Sequence, residues 1–221
     1  AFAQVEQNAP DAEGCVISGD LVNRATDENY AALAELLCAF DHPVFPMVGN
    51  HDVRRNVRNH FSLPASTMDD FIQYSVEFDD CTILGLDTQD QGADHGAFCS
   101  RRADWLNAVL NAQPKKPTIV FAHHPPAELG LPMQDQDRLK DGDRLLSILK
   151  SSPQTVYLCC GHVHRTISGL VQGVPFSTIR SSLYQAPPPV PAWTWDSFAP
   201  AKETAQFAIL EVSQHHMGVH F

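Results

Sequence analysis

Val156-Tyr157-Leu158-Cys159-Cys160-Gly161-His162-Val163-His164 runs a largely apolar stretch into a glycine and then two histidines spaced one residue apart. The first five residues have the length and composition of a buried strand, and the glycine lets the backbone turn tightly where the strand stops. After the turn, two imidazoles at i and i+2 can face one pocket. The neighbouring cysteines do not complete a zinc cage with them. Consecutive strand residues point to opposite faces, so Cys159 and Cys160 cannot both turn toward one ion.

Three more runs share this form: CVIS (15–18), VFPMV (44–48) and TIVFA (118–122). They release Gly19-Asp20, Gly49-Asn50-His51-Asp52 and His123-His124. Pro46 cannot donate to a sheet ladder, which places its run at an edge or a bulge. Helical patterns lie between the runs. Residues 26–40 carry Thr26 or Asp27 as a cap, with Leu33, Leu36, Leu37 and Phe40 on one stripe. A second helix starts at Ser100 with Trp105, Leu106, Val109 and Leu110 inward, and a third covers 142–150. This alternation predicts an α/β fold with strands covered on both sides. Residues 72–78 alternate apolar and polar and turn at Asp79-Asp80 into CTILGL (81–86). Hairpins follow His164, with a turn at Gln172-Gly173, and the C-terminal 207–212 and 216–221 segments continue them. Mixed sheets are therefore expected rather than one parallel sheet.

Composition sets outer bounds. The chain has 221 residues, 43% of them hydrophobic, with no internal repeat and no linker, and reads as a single domain over 1–221. The formal charge of −11 argues against a nucleic acid polymer and an anionic membrane as partners. A small phosphate substrate stays open, since a metal cluster inverts the field locally. No apolar run reaches the roughly 18 residues that span a bilayer, and no basic-then-apolar leader opens the chain. Six cysteines without a C-x-x-C pair suggest reduced thiols and a cytoplasmic setting.

In α/β sheets, ligands gather beyond the carboxyl ends of the strands. Every residue released there is a metal ligand or proton carrier by type, and the mixed oxygen and nitrogen donors suit a catalytic metal better than a structural zinc. Each has a plainer reading. Gly19-Asp20 is a common turn pair, Asn50 suits a left-handed backbone after Gly49, and His162 and His164 could be exposed loop residues. Of His123 and His124 at most one should bind, because neighbours diverge. Four such ends in one chain are rarely coincidental.

GDLVN (19–23), GNHD (49–52), AHHPP (122–126) and GHVH (161–164) together resemble the calcineurin-like metallophosphoesterases. AHHPP with VNRATDENY (22–30) looks closest to the bacterial class III cyclic-nucleotide phosphodiesterase and glycerophosphodiesterase branch. The resemblance implies a four-layer α/β/β/α sandwich of two mixed sheets. It implies two divalent ions (Mn, Fe or Zn), with Asp20 bridging them, Asn50, His123 and His162 completing one, and His164 holding the other. His51 would act as general acid, and Asp52 would orient it. The implied reaction is hydrolysis of a small phosphodiester, of cyclic-nucleotide or glycerophosphodiester type, by hydroxide formed between the two ions about 3.5–4 Å apart. A phosphomonoesterase and a non-catalytic metal-binding or regulatory protein are the alternatives.

The family's Asp-x-His motif is absent, and residues 1–7 read as the tail of a helix that would follow it. The expectation is a natural protein with a further strand upstream, against the alternative of a depleted first metal site. Arg54, Arg55 and Arg58 read as a solvated helix face, or as reaching toward an anionic substrate. The proline-stiffened loop 185–193, with Trp193 and Trp195, reads as core packing, or else as a base-stacking pocket or a subunit contact in a homodimer. His42, His60, His95, His215, His216 and His220 fall outside the pattern and read as structural or surface.

Overall fold

The computed structural model describes residues 2–112, 116–213 and 215–221. In chain order the elements are α1 (Phe2–Asn8), β1 (Cys15–Ile17), α2 (Asp27–Cys38), β2 (Val44–Pro46), α3 (Arg54–His60), β3 (Tyr74–Glu77), β4 (Thr82–Leu86), α4 (Ser100–Ala112), β5 (Thr118–Ala122), α5 (Gly142–Ser151), β6 (Val156–Cys160), β7 (Ser168–Val171), β8 (Val174–Thr178), β9 (Ile209–Ser213) and β10 (His216–His220), with short 3-10 turns at Asp135–Asp137 and Trp195–Ser197. A mixed six-stranded sheet runs β3-β4-β5-β6-β8-β7. Its inner pairs are parallel, and β3 and β7 are antiparallel edges. β1 pairs in parallel with β2, and β9 with β10 as a hairpin.

Side-chain alternation along the inner strands sorts them between two cores. Leu84, Leu86, Val120, Ala122, Leu158 and Cys160 pack under α4 and α5, against Leu106, Leu110, Leu145 and Leu149. Ile83, Ile119, Phe121 and Cys159 face the other way. There they meet Val16, Phe45 and Met47 from the β1–β2 region and Leu210, Val212 and Met217 of the β9–β10 hairpin, with Tyr30 and Leu33 of α2 in the same cluster. The layers are helix, six-stranded sheet, smaller strand pairs and helix, in the expected order, although among the described residues the second strand layer is a parallel pair and a separate antiparallel pair rather than one joined mixed sheet. Cys159 and Cys160 fall in opposite cores, which removes the cysteine-cage reading.

Pro46 lies on β2, whose ladder partner is β1, so its missing N–H breaks no central ladder. Gln172 and Gly173 both take positive φ, 50° and 89°, as a two-residue hairpin turn demands. Thr26 caps α2 by accepting from the Asn29 N–H at 3.3 Å. One helical face differs from expectation: Leu36 is 64% exposed. The inward stripe is instead Tyr30, Leu33 and Leu37 with Phe40. The helix rotation follows Tyr30, fully buried, whose hydroxyl donates to Asp52 Oδ1 at 2.9 Å.

Gly142 opens α5 against the loop that carries His123 and His124. A Cβ there would overlap the Pro126 carbonyl oxygen. Because the obstacle is backbone, Gly142→Ala is expected to cost about 1–3 kcal/mol or more, as overpacking does. A thermal melt checks this, and an unchanged midpoint would contradict the close approach.

Candidate metal centre

The parallel strands deliver their carboxyl ends to one rim. After β1 comes Gly19-Asp20, after β2 the 49–52 turn, after β5 His123-His124 and after β6 the 161–164 turn. Asp20, His162 and His164 adopt left-handed backbone with φ of 53°, 66° and 50°. Non-glycine residues hold such angles at a cost, and they cluster where a side chain must be aimed. Asn50 is not left-handed, so its backbone does not account for an asparagine there.

Four donor atoms converge. Asn50 Oδ1 lies 3.1 Å from His123 Nε2 and 3.2 Å from His162 Nδ1, and His123 Nε2 lies 3.3 Å from Asp20 Oδ2. His123 Nδ1 is 2.8 Å from the Ser18 carbonyl, to which it donates, so Nε2 is the nitrogen that faces those two oxygens, with a proton when the ring is charged and with a lone pair when it is neutral. Oxygens facing Nε2 at this range call for a positive charge between them, which a proton on His123 supplies and a metal ion in its place would supply. Ligands about 2.0–2.2 Å from one ion, at tetrahedral to right angles, lie roughly 3.0–3.4 Å apart, and the observed separations match. The residues present fit a divalent cation.

The charges agree. Burial pushes the Asp20 carboxyl up, but the charged form of His123 and the His51 N–H (3.1 Å from Asp20 Oδ1) together outweigh it and hold Asp20 ionised, while Asp20 in return raises His123 against the effect of its burial. Burial, then His123, pull His162 down to about 3, leaving it a neutral ligand.

His164 lies apart from this foursome, its ring 4.5 Å from that of Tyr184. Its Nδ1 is buried with no hydrogen-bond partner.

His124 belongs by distance to an imidazole trio with His123 and His162, whose ligand atoms lie within 4.8 Å of one another. Its nitrogens are nonetheless both engaged. Nε2 donates to the Asp94 carbonyl at 3.1 Å, and Nδ1 accepts from Thr88 Oγ1 at 2.8 Å. Burial, then His123 and His162, keep it neutral. It packs against the ligands without being free to bind.

Asp52 does not orient His51. Its Oδ2 accepts from the N–H of Leu21 (3.1 Å) and of Gly49 (2.9 Å), and Oδ1 from Tyr30, so the carboxylate ties the 19–21 and 49–52 turns together. The His51 ring instead donates from Nδ1 to the Asn23 carbonyl at 3.1 Å. Arg54 is neither a solvated nor a substrate-facing residue: it makes a two-pronged ion pair with Asp87 at 2.6 and 2.7 Å. Arg58 donates to the carbonyls of Met68 and Phe71, and Arg55 is exposed.

A fifth strand end also feeds the rim. β4 releases Asp87-Thr88-Gln89, all buried. Asp87 accepts from Arg54 and from the N–H of Ile72 and Gln89. Gln89 Nε2 donates to the carbonyls of Gly49 (2.7 Å) and Asp52 (2.6 Å), gripping the turn that carries Asn50. The signal was in the sequence, since LDTQD is another apolar run opening into polar residues. Its place in an antiparallel hairpin with β3 hid the parallel pairing with β5. Gln134, whose Nε2 donates to the Val163 carbonyl at 2.7 Å between the two histidines, had no such signal. Gln89→Leu removes two hydrogen bonds from the Asn50 turn and is expected to weaken divalent-metal affinity by roughly 10–100-fold. Equilibrium dialysis with manganese reads this, and an affinity within threefold of wild type would contradict it.

A profile of the calcineurin-like phosphoesterase family matches residues 2–166. The chain is 32% identical over 188 residues to a probable cyclic nucleotide phosphodiesterase of Rhodopseudomonas palustris, covering 84% of this chain and 69% of that protein. It is 30% identical to a probable glycerophosphodiester phosphodiesterase of Arcobacter nitrofigilis, over 77% of this chain and 63% of that one. It thus spans about two thirds of the length of these relatives. A dimetal phosphatase from Danio rerio shares the fold, with a TM-score of 0.66 at 14% identity over 99% of this chain and 86% of that one.

Proposed function

The chain belongs to the calcineurin-like phosphoesterase family, and we propose that it hydrolyses a small phosphodiester, of cyclic-nucleotide or glycerophosphodiester type, with divalent metal ions. The observation that carries this reading is the convergence of Asp20, Asn50, His123 and His162 within 3.1–3.3 Å contacts. In this reading those four hold one ion, and Asp20 with His164 offers donors to a second. Bound metals would neutralise the phosphate charge and lower the pKa of water. Nitrogen and oxygen donors without thiolate favour manganese, iron or zinc.

The chain's own residues do the rest. The His51 N–H anchors Asp20, so one residue joins a metal-binding carboxylate to a proton donor. With Nδ1 held by Asn23, the Nε2 of a protonated His51 is the nitrogen left to protonate the departing alkoxide. His124, neutral and fully engaged, walls the imidazoles from solvent. We take 1–221 as one catalytic domain. The acidic surface favours a small substrate over a nucleic acid polymer. A cytoplasmic setting is supported by six cysteines that are all free; among the described residues no helix is long and apolar enough to cross a membrane.

Turnover of bis-p-nitrophenyl phosphate by the protein loaded with manganese, zinc or iron tests the proposal. Hydrolysis that a chelator abolishes and metal restores is expected, with the diester preferred over p-nitrophenyl phosphate. Metal-saturated protein that leaves the diester intact would overturn it.

A further inference from the structure

Tyr184, Phe198, Trp193 and Trp195 have no part in the chemistry above, yet they form a continuous aromatic cluster that reaches the metal centre. The Tyr184 ring lies 4.5 Å from that of His164, inclined at 61°. Phe198 follows at 5.8 Å from Tyr184, and Trp193 and Trp195 at 5.3 and 5.6 Å from Phe198. Trp193 is buried at the back of the cluster, whereas Tyr184 keeps 38% of its surface exposed.

The segment bearing Tyr184 is fastened on both sides. Ala186 N–H donates to the His164 carbonyl at 3.0 Å, and Arg165 donates to the Ala186 carbonyl at 2.8 Å. Gln185 closes the loop on itself, its Nε2 donating to the Ser181 carbonyl at 2.6 Å and its Oε1 accepting from the Ser181 N–H at 3.0 Å. Arg165 and Arg180 both pair with Glu203, which joins this loop to the chain after the tryptophans. An exposed aromatic ring held this firmly loses little freedom when a planar group settles on it.

We infer that Tyr184 is a stacking platform for a planar aromatic substituent on the ester, a nucleobase, seated beside His164. A hydroxyl-rich glycerol substituent gains little from a ring face, so the geometry favours nucleoside phosphates over glycerol phosphates. The inference rests on the phosphodiester reading for the identity of the site, but its test reads binding rather than turnover.

Calorimetric titration of the manganese-loaded protein with AMP and with glycerol 3-phosphate provides that test. The wild type is expected to prefer AMP by about tenfold, the scale of one base–aromatic stack. Tyr184→Ala should bring the two affinities within about twofold, and Tyr184→Phe, which keeps the ring, should retain the preference. Equal affinities in the wild type, no binding of AMP, or an unchanged preference in Tyr184→Ala would each overturn the platform. If the binding pattern holds while the bis-aryl diester is not hydrolysed, the platform stands and the hydrolytic reading falls.

Discussion

Asn50→Ala is expected to lower metal-dependent diester turnover by roughly 10³-fold while leaving the fold intact. The side chain is only partly buried, and its Oδ1 is the point at which His123 Nε2 and His162 Nδ1 meet. Removing it leaves the two imidazoles and Asp20 without their shared oxygen. Metal assistance to phosphoryl chemistry is worth several kcal/mol of transition-state stabilisation, and each 1.36 kcal/mol is tenfold in rate. Circular dichroism and the melting midpoint should stay near wild type, since no buried donor loses its only partner. Turnover within threefold of wild type would show that Asn50 is a turn residue and no ligand.

The second large effect is on stability. Asp87 is fully buried and satisfies both Arg54, through two hydrogen bonds, and the N–H groups of Ile72 and Gln89. Arg102, also buried, approaches the same carboxylate at 3.5 Å and donates to the Asp87 and Gln89 carbonyls. Both guanidinium groups lie over the Phe71 ring, at 5.4 and 4.7 Å. Asp87→Ala would leave two guanidinium groups without their counter-charge, held only by backbone carbonyls, and two buried N–H groups unpaired. Breaking a buried pair from one side costs about 3–5 kcal/mol, or roughly 6–20 °C of melting temperature for a chain of this size. Asp87→Asn keeps the shape and part of the hydrogen bonding and should lose less. A midpoint shift under 3 °C for Asp87→Ala would mean that the network is neutral.

How much of this is legible in the sequence follows from the range of each interaction. Strand ends are local features: an apolar run, a glycine and a ligand-type residue occur within ten positions, so Asp20, Asn50, His123, His162 and His164 stand out before any coordinates. Hairpin turns are local too, and Gln172-Gly173 behaves as its composition predicts. Partners chosen across the chain are not local. Nothing near Asp52 indicates that its carboxylate will close on Leu21 and Gly49, so the pairing with its neighbour His51 was the natural expectation and was wrong. Arg54 likewise looks like a free cation until Asp87, 33 positions on, is brought beside it. Leu36 and Leu37 are indistinguishable by type, and only the seating of Tyr30 decides which faces the core. Tyr184 follows no motif, and its importance arises from the loop that folds it onto His164.

The central claim is that Asp20, Asn50, His123 and His162 grip one divalent cation. Diffraction from manganese-soaked crystals, recorded for anomalous signal, addresses it without recourse to activity. A peak is predicted among Asp20 Oδ2, Asn50 Oδ1, His123 Nε2 and His162 Nδ1, with His124 outside bonding range. A metal-saturated crystal with no peak there, or with its peak on His124, would contradict the account.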